Sequence, residues 1–274
     1  MVEQYNIQHE DEEIFGALNP LVSSWFRQKF KKFSPPQKGA IINIHKKKNT
    51  LICAPTGSGK TLSAFTAVLS ELMNLSERSE LEDKVYCVYV SPLKALNNDI
   101  QRNLLEPLNE IESSSKRTHG IRVLVRTEDT KASQRAKMLT SPPHILITTP
   151  ETLAILLVAP KFREKLRDVK WFIVDEIHAL ASGKRGVHMS LSLERLQNLS
   201  GPFTRIGLSA TIAPLDEVAQ FLVGYDNDGQ PRDCSIVNAQ FLKKLDLKVI
   251  SPVKNIMDVT QIELERATYQ QLHD

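Results

Sequence analysis

The 274-residue chain has little of several things, and each scarcity narrows what it is. It has three cysteines, Cys53, Cys87 and Cys234, widely spaced. Two of them sit inside apolar runs, which points to buried thiols in a reducing compartment rather than to disulfides or a metal site. No apolar run approaches the roughly 18–20 residues a membrane span needs; the longest are strand-length. The N-terminus, MVEQYNIQHEDEE, lacks the apolar core of a secretory signal and the arginines of a transit peptide. No internal repeat or low-complexity stretch is present. Charge of one sign is also lacking: 35 Lys+Arg against 32 Asp+Glu leave +3. That is too mild to establish a nucleic-acid partner. The 41% hydrophobic and 24% charged content is that of a globular chain and excludes a mostly disordered one. These features predict a cytoplasmic protein with no membrane association. Its length suits one large domain with appendages.

What is present is a rhythm. Residues 1–13 read as a solvated tail. Leu21, Val22, Trp25, Phe26 and Phe30 then recur at helical spacing until Ser34-Pro35-Pro36 breaks the pattern. Next come short, near-continuously apolar runs at 51–54, 85–90, 121–125, 145–148, 171–174 and 205–208. Such runs suit strands covered on both faces, as in a parallel sheet. Between them lie amphipathic helices, one carrying Leu62, Phe65, Leu69 and Leu72, another Leu93, Leu96, Ile100 and Leu104. Ser91 and Pro92 suit the start of the second, and Pro107 is expected to end or kink it. The alternation predicts an α/β fold, a doubly wound, mostly parallel sheet with right-handed crossovers and an N-terminal helical extension. The stretch 225–234 reads as turn-rich, 240–255 as a strand and linker, and 261–274 as the opening of a helix. The expected division is tail and helix over 1–32, the main α/β domain over 33–239, and a linker leading into an incomplete second domain over 240–274.

Two motifs carry chemistry. Ala54-Pro-Thr-Gly-Ser-Gly-Lys-Thr61 joins a strand to a helix. Gly57 and Gly59 let the loop that opens at Pro55 curl so that its N–H groups, those of Thr56 and Ser58 among them, point at phosphate oxygens. The helix N-terminus adds positive charge, Lys60 reaches the β- and γ-phosphates, and Thr61 offers a hydroxyl to Mg²⁺. Ala54 stands where the strict pattern has glycine. The second motif, Asp175-Glu176, leaves a buried strand at the end where ligands sit in α/β sheets. Asp175 is placed to hold Mg²⁺ and Glu176 to polarise an attacking water. The cofactors so implied are ATP and Mg²⁺.

Together the segments 54–61, 91–101 (SPLKALNNDIQ), 147–153 (ITTPETL), 174–178 (VDEIH) and 208–211 (LSAT) resemble, in order, motifs I, Ia, Ib, II and III of superfamily 2 helicases. FSPPQ, SPLKALNND, PPHILITTPETL, DEIHAL with Arg185-Gly186, and the LERL run at 193–196 are similar to the Lhr-type (long helicase-related) family. The resemblance implies the first RecA-like motor domain of an ATP-dependent helicase. Gln37, with Phe30 upstream, would read and stack on adenine. Pro92, Leu93, Lys94, Thr149, Pro150 and Glu151 would grip a nucleic-acid backbone, and His178, Ser209 and Thr211 would couple the two sites. It implies single-stranded or partly duplex nucleic acid as partner, DNA favoured over RNA, and 3′→5′ polarity. A second RecA-like domain, absent from these residues, would complete activity, so this stretch alone is expected to hydrolyse ATP poorly. The other reading is a stand-alone, nucleotide-dependent nucleic-acid-binding half-helicase without unwinding activity. Thr127-Glu128-Asp129-Thr130 departs from the family pattern, which has a glycine before Asp-Thr, and leaves the role of Arg126 open. Trp25 and Trp171 read as core, and Lys46–Lys48 as a solvated turn.

Overall fold

The computed structural model describes residues 2–4, 8–92, 97–239, 251–253 and 258–273. It divides into two units, residues 1–242 and 243–274. The second contributes the helix α13 (Gln261–His273), described by itself.

The first unit is built on an eight-stranded, wholly parallel sheet. Its strands are β1 (Val2–Gln4), β2 (Thr50–Cys53), β3 (Cys87–Val90), β4 (Val123–Arg126), β5 (Ile145–Thr148), β6 (Trp171–Val174), β7 (Thr204–Ser209) and β8 (Cys234–Asn238). They lie in the order β1-β8-β2-β7-β6-β3-β5-β4. The helices are α1 (Asp11–Ala17), α2 (Pro20–Phe30), α3 (Pro35–His45), α4 (Lys60–Glu77), α5 (Asn97–Ile100), α6 (Glu106–Ser115), α7 (Ala132–Thr140), α8 (Pro150–Val158), α9 (Pro160–Arg163), α10 (Ile177–Ala181), α11 (Lys184–Ser200) and α12 (Leu215–Val223).

Period-two alternation along the strands sends side chains to two separate cores. Ile52, Tyr89, Ile147, Ile173 and Ile206 join α1–α4 and α6. Leu51, Val88, Leu146, Phe172 and Val174 join α8–α12. Because both faces are covered, the strands are apolar throughout, which is why runs rather than alternation marked them in the sequence. Trp25 and Trp171 are buried core residues, as expected.

Three expectations need correction, and a fourth is narrowed. The stretch 1–13 is not a solvated tail: β1 pairs with β8, and α1 begins at Asp11 and buries Ile14 and Phe15 in the same core as α2. β4 is the sheet's edge and is only half-covered, with Val125 41% exposed. The turn-rich stretch expected over 225–234 gives way at Cys234 to β8, a buried strand beside β2 that no sequence run marked. Of the two outcomes expected at Pro107, an end or a kink, the helical run does not end: a π-helical turn over Gln101–Leu105 interrupts it just before the proline, and α6 carries Pro107 in its first turn. Residues 240–250 and 93–96, and with them the calls on Leu93 and Lys94, lie outside the described residues.

The extension is tied down by polar bonds as well as packing. The Asn19 side chain accepts from Leu21 N at 2.9 Å, capping α2, and donates to Asn74 and Glu77 on α4. Such a cap contributes about 1 kcal/mol. At the N-terminal edge of the sheet Arg205 is only 1% exposed. Its guanidinium donates to the Leu222 and Val223 carbonyls and to Glu194 and Gln197, and Glu194 is shared with Arg232. This group locks the last turn of α12 to α11 and β7.

Candidate functional site

The order β2-β7-β6 brings the loops after β2 and β6 to one cleft of about 620 Å³ at the carboxyl edge of the sheet. Thr56, Gly57, Ser58, Gly59, Lys60 and Thr61 line one wall, and Asp175 and Glu176 the other. Gly57 and Gly59 have φ of 75° and 93°, left-handed values that side chains resist. A Cβ on Gly59 would also lie 2.7 Å from Gln37 Nε2. The sequence motif therefore builds the curl it was expected to build, and Gly59 hands over to α4 at Lys60.

Lys60 is nearly buried, and its ammonium donates to the Ala54 and Pro55 carbonyls at 2.7 and 3.0 Å. Burial pulls its pKa down, against the opposing pull of Glu176 and Asp175. Nearby, Ser58 Oγ is buried without a partner among the described residues. Buried polar atoms are ordinarily bonded, so this hydroxyl and the ammonium resting on its own loop both suit a phosphate group. Pro55 is half-buried at the head of the turn and accepts from Ser58 N.

Asp175 is held on both oxygens: Oδ2 accepts from the buried Tyr89 hydroxyl and Oδ1 from Glu176 N at 2.9 Å. Burial raises its pKa, and the Tyr89 bond works the other way. Glu176 takes a left-handed backbone (φ 48°, ψ 42°), unusual for a side-chain-bearing residue. Such strain costs on the order of 1–3 kcal/mol and gathers at functional sites. Glu176 Oε2 lies 3.1 Å from His178 Nε2, and His178 Nδ1 lies 3.3 Å from Ser209 Oγ and 3.4 Å from Ala210 N. Ser209 ends β7, pairs with Cys53, and its carbonyl accepts from Ala54 N. A chain of contacts thus runs from the acidic pair through His178 to the strand beside the glycine loop. Thr211 is not in that chain. The expectation that both hydroxyls of this segment need buried partners fails for it, because it lies past the strand, exposed.

The far end of the cleft holds Phe30 and Gln37. Phe30 is 43% exposed and touches Trp25 and Phe26 through its ring, which leaves a face open. Gln37 Oε1 accepts from Ser34 N at 2.7 Å, and Ser34 Oγ donates to the Ser58 carbonyl, so the base-reading candidate is built into the loop's support. Asp99, Arg102, Asn103 and Glu106 also line the cleft, as do Lys29 and Lys32. The first four come from the irregular helix around the π turn. Only the position of Pro107 hinted at them.

The remaining candidates gather elsewhere on the same edge. The Thr149 hydroxyl caps α8, accepting from Thr152 N, and Pro150 is buried in its first turn. Glu151 pairs with Arg185 at 2.7 Å, which holds its carboxyl below the usual range, and Arg185 also donates to the Pro92 carbonyl. Arg185 therefore joins the two segments expected to meet a nucleic-acid backbone. Arg126 stacks over Phe162, its guanidinium 4.6 Å from the ring centroid.

A DEAD/DEAH box helicase family profile matches residues 34–220. The chain is 55% identical, over its full length, to an ATP-dependent helicase Lhr-Core of Methanothermobacter thermautotrophicus, covering 32% of that protein. It is 39% identical to the Lhr helicase/uracil glycosylase of Escherichia coli, over 90% of the chain and 16% of the relative. Among solved structures, Mycobacterium smegmatis helicase Lhr bound to ssDNA and AMP-PNP superposes with a TM-score of 0.76 at 38% identity, covering 94% of the chain and 32% of that protein. The chain spans about a third of the length of the Lhr-Core relatives it matches.

Proposed function

We propose that this chain, which belongs to the DEAD/DEAH box helicase family, is the first motor domain of an Lhr-type helicase that couples ATP hydrolysis to movement along single-stranded nucleic acid. The observation that carries this reading is the convergence of Lys60, the unpartnered Ser58 hydroxyl and the Asp175–Glu176 pair on one cleft.

In this reading the loop N–H groups and Lys60 cradle the triphosphate, and Lys60 exchanges its loop carbonyls for phosphate oxygens. Gln37 meets the adenine edge and Phe30 its face. Thr61 and Asp175 would hold Mg²⁺, which supplies charge neutralisation across the β- and γ-phosphates when bound. Glu176 orients a water in line with the γ-phosphorus. A bond forms from the water oxygen to phosphorus, the water's proton passes to the Glu176 carboxylate, the bond to the β–γ bridging oxygen breaks, and ADP carries the electron pair away. His178, touching both Glu176 and Ser209, reports the state of the acidic pair to the neighbouring loops. Pro92, Leu93, Lys94, Thr149, Pro150 and Glu151 form the strand-gripping side, with Arg185 holding its halves together, and Thr211 keeps the coupling role beside Ser209. DNA is favoured over RNA because the similar mycobacterial protein was solved with ssDNA. Residues 33–239 form the motor domain, with 1–32 as its extension and 240–274 leading toward a second RecA-like domain. The protein works in the cytoplasm, in keeping with three buried cysteines that form no disulfide among the described residues.

Titration of labelled ATP and single-stranded DNA tests this. Glu176→Gln keeps nucleotide affinity and loses hydrolysis by about 10²–10⁴-fold. Lys60→Ala loses affinity. Equal ATP binding by wild type and Lys60→Ala removes the assignment. Residues 1–274 alone turn over slowly; rapid, DNA-stimulated turnover would show that no second domain is required.

A further inference from the structure

Tyr89 lies in the middle of β3, flanked by Val88 and Val90, and is fully buried. A phenylalanine would fill the same volume, and a phenol brought out of water costs free energy unless its hydroxyl is bonded. The hydroxyl has one hydrogen-bond partner among the described residues, Asp175 Oδ2. Its ring stacks on Phe65 at 5.2 Å and 27°. Phe65 sits in α4, about one turn beyond Lys60 and Thr61. The other Asp175 oxygen is taken by Glu176 N. The carboxylate is thus gripped from two directions, once by its own turn and once by a strand that belongs to neither motif.

We infer that Tyr89 is a positioning residue for binding of the magnesium–nucleotide complex: its hydroxyl fixes the rotation of Asp175, and its stack on Phe65 ties that rotation to the phosphate-loop helix. The inference rests on the reading that the cleft takes ATP with magnesium. A carboxylate held by donors on fixed backbone does not reorganise when the cation arrives, and its remaining lone pairs stay turned toward the cleft. Partners of this kind behind a metal ligand change metal affinity by about 10–100-fold when removed.

Tyr89→Phe removes one oxygen and leaves the stack. In the whole chain, a fluorescent ATP analogue is titrated with rising magnesium and again in EDTA. The expected result is a half-saturating magnesium concentration raised about 10-fold or more, with affinity in EDTA unchanged. A merely structural role would instead lower both affinities alike, or neither, and either outcome overturns the inference. In the Asp175→Asn background, Tyr89→Phe should cause no further change in magnesium dependence; an added effect of equal size also overturns it. Lys60→Ala separates the two levels of the claim, since it weakens binding in EDTA as well. Wild type that binds the analogue without regard to magnesium defeats the reading of the cleft, and the inference falls with it.

Discussion

The two ends of the sheet each bury a cation, and they do so for opposite ends. At the carboxyl edge Lys60 is 7% exposed, and at the amino edge Arg205 is 1% exposed. Burial lowers the pKa of both. Arg205 offsets the cost through a carboxylate, an amide and two helix-terminal carbonyls, with its Nε buried without a partner among the described residues. Among the described residues Lys60 has only the carbonyls of its own loop, which a phosphate can replace. One cation is spent on the fold, and the other is kept in reserve. What separates them is not depth but whether the partners can be exchanged.

The contrast is breakable in order of size. Lys60→Ala should weaken nucleotide binding by about 100-fold or more, the loss of charged hydrogen bonds to phosphate. It should leave thermal stability nearly unchanged, as read by melting. Arg205→Met should do the reverse. It unpairs the Leu222 carbonyl and leaves Glu194 to Arg232 alone, costing about 3 kcal/mol in denaturant unfolding while nucleotide affinity per folded molecule holds. A shared loss in both assays, for either variant, would dissolve the distinction.

His144 sharpens it. It lies beside Arg122 at the start of β5, with Nδ1 accepting from Arg122 N, and burial and then the guanidinium push its pKa down from 6.5 to about 4. The amino edge therefore holds this third basic group neutral. Below pH 6.5 the unfolded chain gains a proton that folded His144 refuses, so its contribution is present above that pH and drains as pH falls toward 4. The loss should reach about 2–3 kcal/mol. A His144→Gln variant should show a flatter stability profile across that window. The smallest effect belongs to the exposed Arg185–Glu151 pair. Arg185→Ala should change stability by less than about 1 kcal/mol while weakening ssDNA retention in a binding assay, because it frees the Pro92 and Glu151 segments from each other.

The carboxyl edge was far more legible in the sequence than the amino edge. Gly57, Gly59, Lys60 and the Asp175–Glu176 pair announce themselves, since few residue types permit that backbone and that chemistry at that spacing. The central strands were equally clear because they are apolar on both faces. β8 was not, since its five residues follow a polar turn and become a strand only beside β2. α1 has just two buried apolar residues, too few to show a period. Arg205 stands in a strand as an ordinary charge; its burial depends on Glu194 and on carbonyls 17 and 18 residues away. Asp99, Arg102 and Asn103 reach the cleft through a helical irregularity that no periodicity reveals. Tyr89 did leave a trace, a hydroxyl in a strand whose other side chains carry no oxygen.

The position of β7 between β2 and β6 sets a gauge. Two strand spacings put the origins of the glycine loop and the acidic turn about 10 Å apart. The side chains of Lys60 and Asp175 reach into that interval from either rim of the one cleft. In the proposed reading it is the strand order that sets the span which the phosphates of a nucleotide have to cross.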